Sequence, residues 1–199
     1  MPPSLRFMLR FAFLCSIWLF GGAGARAAFV MTLTQVGGDV VLNGSGTLDV
    51  SALPVATDQN DYGLILPSIA GIIGGPAGIV NDVYRHGVSG PTNFGINSFE
   101  TNATTGSGDK VGIVGAFPVV VVPVGYISGS ALAANDVFAS ATFASIGIIP
   151  GTYVWTWGSV TNGNADSFTL QVGPIPEPAS LGLICAGLLG LRVARRKRA

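Results

Sequence analysis

The chain has 199 residues, 49% of them hydrophobic, and its ten basic and ten acidic side chains cancel to a formal net charge of zero. That balance is not local: between Ala28 and Pro174 nine acids face only Arg85 and Lys110, a net of −7, which excludes a phosphate-binding surface and with it nucleic acid as a partner. Both cysteines, Cys15 and Cys185, lie in the apolar ends, so the middle of the chain is expected to be held by its core without disulfides.

At the N-terminus, Arg6 and Arg10 precede an apolar stretch, Phe11 to Phe20, and Gly21 to Ala27 supplies small residues. This order predicts a secretory signal peptide over residues 1–27. Ala25-Arg26-Ala27 places cleavage before Ala28, with Ala23-Gly24-Ala25 as the other small-x-small site. The apolar stretch is too short for a retained membrane helix. Without a twin-arginine pair, the general secretory route is the default.

Residues 28–173 are predicted to form one exported β-rich domain. Phe29, Met31 and Leu33 alternate with Val30, Thr32 and Thr34, and Gly37-Gly38 separates them from a second alternating run carrying Val40, Leu42, Leu48 and Val50 on one face. The pattern is that of a hairpin. Gly44 and Gly46 leave room for a bulge or a close neighbour. Asp58 to Gly63 opens like a calcium loop, but Tyr62 and Ile69 stand where oxygen ligands are needed, so a solvated turn is expected. Gly63 to Val80 is uncharged, yet Pro67, Pro76 and repeated glycines break any spanning helix and favour short buried strands or a packed loop.

His86 reads as a surface or turn residue beside Arg85, and Asn93 to Asp109 reads as surface loop. Val111 to Tyr126 is β-rich, with Val119 to Val122 between Pro118 and Pro123; such a run is an aggregation hazard at a sheet edge, and the prolines limit how far it can pair. Phe138 to Ile149 mixes helix and strand formers, and strand is expected. The last hairpin sets Tyr153, Trp155 and Trp157 on one face, turns through Gly158 to Ala165, and returns with Phe168, Leu170 and Val172. Short alternating segments without an amphipathic helix predict an all-β fold, an antiparallel β-sandwich or barrel-like domain.

Catalytic patterns are sparse. One histidine and no cysteine fall short of a zinc site, no Gly-x-Ser-x-Gly elbow accompanies His86, and Gly106 to Lys110 lacks the spacing of a phosphate loop. No cofactor or metal is expected, and the domain is read as non-enzymatic. The recognition feature is the row Tyr153, Trp155 and Trp157: such rings either pack inward as core, which is the expectation, or stack glycans, with Asn162, Asn164 and Asp166 nearby to bond hydroxyls.

Residues 174–199 have three parts: a stiff spacer with Pro176, Glu177 and Pro178, an apolar run from Ala179 to Leu191, and a basic end with Arg195, Arg196, Lys197 and Arg198. A helix over Ala179 to Ala194 would span about 24 Å at roughly 1.5 Å per residue, short of the roughly 30 Å of a bilayer core, with Arg and Lys stems reaching the headgroups. Positive flanks stay in the cytoplasm, which leaves the preceding domain outside. This tail resembles the PEP-CTERM protein-sorting signal of Gram-negative bacteria, with Arg192 as a departure that interrupts the apolar run.

The resemblance implies an exosortase as partner and transient anchoring in the inner membrane, followed by processing and release to the cell surface or extracellular matrix. Pro176, Glu177 and Pro178 are then the recognition element, and Arg195 to Arg198 the cytoplasmic lock. The first reading this leaves is a structural or adhesive matrix protein and the second a glycan-binding module with exopolysaccharide as its partner; a third is a hydrolase built on a carboxylate pair that spacing in sequence does not single out.

Overall fold

A computed structural model of the chain describes residues 28–61 and 63–173, with backbone alone over 55–61. The signal peptide expected over 1–27, and the spacer, membrane helix and basic tail expected over 174–199, lie outside the described residues. Among those described, no helix is long and apolar enough to cross a membrane.

The first alternating stretch forms β1 (Ala28–Val36), the Gly37-Gly38 turn follows, and β2 (Asp39–Thr47) pairs back antiparallel, with Phe29 opposite Gly46 and Val36 opposite Asp39. Gly44 is needed for packing, since a Cβ there would stand 2.7 Å from the Phe29 ring. On the far side of β2 lies β11 (Ala131–Phe138), and beyond it β8 (Thr105–Gly108). The last hairpin is β12 (Gly151–Trp157) with β13 (Asp166–Val172). β13 then joins β1 in parallel register, Ala28 opposite Ser167 and Leu33 opposite Val172. The first sheet therefore runs β12-β13-β1-β2-β11-β8.

A second, wholly antiparallel sheet contains β3 (Val55–Asp61), β4 (Leu64–Leu66), β5 (Gly71–Gly74), β6 (Ile79–Arg85), β7 (Thr101–Asn102), β9 (Val111–Val114) and β10 (Val119–Pro123). Its order is β3-β6-β10-β9-β5-β4-β7. The main core lies between the sheets, with Phe29, Met31, Leu42 and Phe168 from the first meeting Ile65, Ile72, Ile113 and Val120 from the second. The architecture is thus the expected all-β sandwich, with one parallel pair in it. A parallel pair needs a long crossover, and here the whole chain between β1 and β13 supplies it.

Several local expectations give way to tertiary context. Val119 to Val122 form a central strand paired on both sides, and the pairing with β6 runs on through Pro123: Val120 and Val122 enter the main core, while Val119 and Val121 join Ile73 and Val83 in a smaller cluster. The acidic segment at residues 58–61 is extended and paired with β6 instead of turning. The polar stretch at 93–109 contains β7 and β8 and buries Phe94. β2 stops at Thr47, although Leu48 and Val50 are buried as expected.

Between Phe138 and Ile149 the strand expectation fails beyond β11. Phe143–Ile146 make a one-turn helix, α1, because Thr142 and Ser145 form a reciprocal capping box and Gly147 closes it in the left-handed region. Threonine acts here as a cap, not as a strand former.

An aromatic chain runs inward from the β12 edge along the first sheet's inner face: Phe29 and Phe168 have ring centroids 5.4 Å apart, and Trp155 meets Phe168 edge-on at 6.0 Å. Trp155 is 0% exposed. Replacing it with alanine should destabilise the fold by about 3–5 kcal/mol through lost burial and the cavity left behind. A urea titration followed by far-UV circular dichroism reads this as a lowered midpoint; an unchanged midpoint would contradict this packing.

Candidate functional site

The row Tyr153, Trp155 and Trp157 comes from alternation along β12, and its inward parity decides its role. Trp157 is 3% exposed, and Tyr153 is half-buried against Phe94, with ring centroids 5.7 Å apart. The polar ends are satisfied within the protein: Trp155 Nε1 donates to the Pro91 carbonyl at 2.8 Å, Trp157 Nε1 to the Asp49 carbonyl at 2.7 Å, and the Tyr153 hydroxyl to the Ile149 carbonyl at 2.9 Å. Burial also raises the Tyr153 pKa above its ordinary value. Trp155 and Trp157 are core and Tyr153 packs against it partly buried, so the three rings do not form one open stacking platform of the kind a glycan reading would need. Of the polar residues nearby, Asp166 is buried, Asn164 accepts from the Ser159 amide at 3.0 Å, and Asn162 is exposed.

His86 is exposed at the end of β6 with φ 69°, a turn residue. Among the described residues no group of three His, Cys, Asp or Glu side chains is arranged to hold a metal.

The densest buried polar cluster lies elsewhere, at the junction of the two sheets. Along β11 the inward parity belongs to Leu132, Ala134, Asp136 and Phe138, so the strand aims a carboxylate at the opposite sheet. Asp136 is 2% exposed, and its Oδ2 accepts the Gly75 N–H at 2.9 Å. Gly75 follows β5 and takes φ 97°, where a Cβ would strike the Asp109 carbonyl oxygen at 2.3 Å. Lys110, 1% exposed, donates from Nζ to the Gly75 carbonyl at 3.4 Å. One glycine is thereby held at both of its backbone groups by charged side chains.

Other glycines make room for the carboxylate. A Cβ on Gly106 would lie 2.3 Å from Asp136 Oδ1, one on Gly74 would lie 3.0 Å from Oδ2, and one on Gly63 would lie 3.2 Å from Oδ1. Burial pushes the Asp136 pKa up to about 6, opposed by the Gly75 hydrogen bond and by the charge of Lys110. The alternation in Ala131 to Phe138 carried the signal for this inward acid, but the glycines that surround it are far apart in the chain and meet only in the fold.

The remaining described aspartates follow the same use. Asp39 accepts from the Ser140 amide, Asp49 from Ser51, Asp82 from Gly125 and Asp109 from Ala133, each between 2.8 and 2.9 Å. Asp166 accepts from the amides of Asp49 and Ser167. Hydrogen bonding to Ser51 holds the Asp49 carboxyl below the ordinary carboxylate range despite partial burial. Every aspartate whose side chain is described therefore caps a backbone N–H.

The geometry of the domain leaves its last described residue, Gly173, bonded through its N–H to the Leu33 carbonyl at 3.0 Å, with the tail following directly. Residues 174–198 match the family of the PEP-CTERM protein-sorting motif. The chain carries a PEP-CTERM sorting signal. It is accordingly an exported protein sorted by an exosortase, as its terminal residues implied. Pro176, Glu177, Pro178 and Arg195, Arg196, Lys197, Arg198 fall inside that match and outside the described residues. No curated protein and no solved structure matches the chain.

Substituting Gly106 with alanine should put a methyl group against Asp136 Oδ1 and the Gly75 carbonyl, at a cost of about 1–3 kcal/mol from overpacking. Thermal unfolding monitored by circular dichroism tests this. An unshifted transition would mean that the carboxylate is not enclosed by these glycines.

Proposed function

We propose that this PEP-CTERM protein is a non-enzymatic component of the cell surface or extracellular matrix, delivered there after exosortase processing. The observation that carries the reading is the use of the acids. The six aspartates with described side chains bind backbone amides and stabilise turns and sheet junctions, so these carboxylates are engaged in holding the fold together. A domain with no cysteine between its signals has no disulfide to lean on outside the cell. Carboxylate caps and a continuous two-sheet core serve instead.

In this scheme the signal peptide starts export, and the apolar run from Ala179 to Leu191 stops it at the inner membrane. Arg195 to Arg198 hold the end of the chain in the cytoplasm by the preference of positive flanks for that side. In the sequence Glu177 places one carboxylate between Pro176 and Pro178, and prolines favour stiff, extended backbone on both sides of it. Such a segment suits a membrane enzyme that must recognise it without first unfolding a domain. The net charge of −7 ahead of it favours a soluble, self-repelling product once the tail is removed.

Glu177→Ala should leave most of the protein full-length and membrane-bound in cells that express the exosortase. Immunoblotting of membrane and surface fractions reads the outcome. Release of the variant at the wild-type level would contradict the assigned recognition element.

A further inference from the structure

Two oxygen atoms border one glycine-lined gap at the sheet junction. The point where a Gly106 Cβ would stand is bounded by Asp136 Oδ1 at 2.3 Å and by the Gly75 carbonyl oxygen at 2.7 Å, and the corresponding point on Gly63 is bounded by the same two atoms at 3.2 and 2.9 Å. Asp136 Oδ1 is buried and accepts no hydrogen bond. Two acceptors brought together away from water repel unless a proton lies between them.

We propose that Asp136 is a proton-operated latch between the two sheets, in which protonated Oδ1 donates to the Gly75 carbonyl while Oδ2 keeps the Gly75 N–H. In that state one carboxylic acid bonds both backbone groups of one residue, sharing the Gly75 carbonyl with Lys110 Nζ. When the proton leaves, Asp136 keeps only its bond from the Gly75 N–H, and its second oxygen is left buried without a donor.

The charged surroundings are few. Lys110 is the cation that acts on Asp136, and Asp109, next to it, accepts from the Ala133 amide at 2.8 Å. β5, β8 and the inward residues of β2 bring no titratable side chain to the gap. Asp58 and Asp61 on β3, and Tyr62 before Gly63, are titratable residues whose side chains lie outside the described residues.

Burial raises Asp136 to about 6 from an ordinary 3.8, so the folded protein holds this proton where the unfolded chain has lost it. The stabilisation is complete below the ordinary carboxylate range and is lost as pH rises through about 6. The latch is therefore tight in acid and looser at neutral pH.

Asparagine mimics the protonated acid, since its amide NH₂ donates where Oδ1–H would and its oxygen accepts from Gly75. Urea midpoints of the purified full chain in nonionic detergent, compared between wild type and Asp136→Asn from about pH 4.5 to about 7.5, test the proposal. The variant should be at least as stable as wild type at the upper end of that range, with an advantage that shrinks as pH falls through about 6. A variant that is less stable at the upper end, fails to fold, or differs from wild type by the same amount at every pH would overturn it. Independently, carboxyl-carbon NMR of the wild type should show one aspartate titrating well above the others. A spectrum with every aspartate in the ordinary range would also overturn it.

Discussion

The parallel pairing of β13 with β1 is the contact on which the rest of the fold depends. β1 is paired on both edges, antiparallel to β2 and parallel to β13, so it is the one strand that ties the first hairpin to the last. Without it the first sheet would divide into a β2-β11-β8 part and an isolated β12-β13 hairpin, and a hairpin alone is marginal in water. The Phe29–Phe168 contact crosses this same seam, and Trp155 is packed onto it from the far side. Parallel register also separates the two ends of the domain. Ala28 lies beside Ser167, whereas Val172 lies beside Leu33, so the N-terminal entry and the C-terminal exit leave from opposite ends of the strand pair.

That arrangement suits a protein sorted by its tail. Residue 28 and Gly173, which precedes the sorting signal, lie at opposite ends of the strand pair, so the N-terminal entry does not crowd the end that carries the signal. The aspartates with described side chains are directed towards the backbone. Aspartate is short enough to reach a neighbouring N–H and carries a charge that strengthens the bond, which makes it an effective brace for a glycine-rich chain whose turns expose many amide groups. Asp136 extends the same use across the sandwich, at the cost of burying a carboxylate.

Much of this was legible in the residues themselves. Period-two alternation located both hairpins, because in β1, β2, β12 and β13 the apolar parity in sequence is the buried parity in space. It also favoured a core role for Trp155 and Trp157. Three things were not legible. Strand partners are chosen by tertiary packing, so the central place of Val119 to Val122 and the extended course of residues 58–61 could not be read from local chemistry. The helix at Phe143–Ile146 depends on a cap between Thr142 and Ser145 whose residues separately favour other structures. The Asp136 junction depends on Gly63, Gly74, Gly75 and Gly106, which converge only after both sheets have formed. The sorting signal was legible because its three parts are contiguous, and contiguous chemistry survives without a fold.

Amide hydrogen exchange followed by mass spectrometry tests the role of the β1–β13 seam most directly. If the seam holds the domain together, peptides covering 28–36 and 166–172 exchange at one common rate, in the slowest class and only through global unfolding. If 151–172 exchanges as a separate, faster unit while 28–47 stays protected, the last hairpin is an appendage and the seam does not hold the sandwich together.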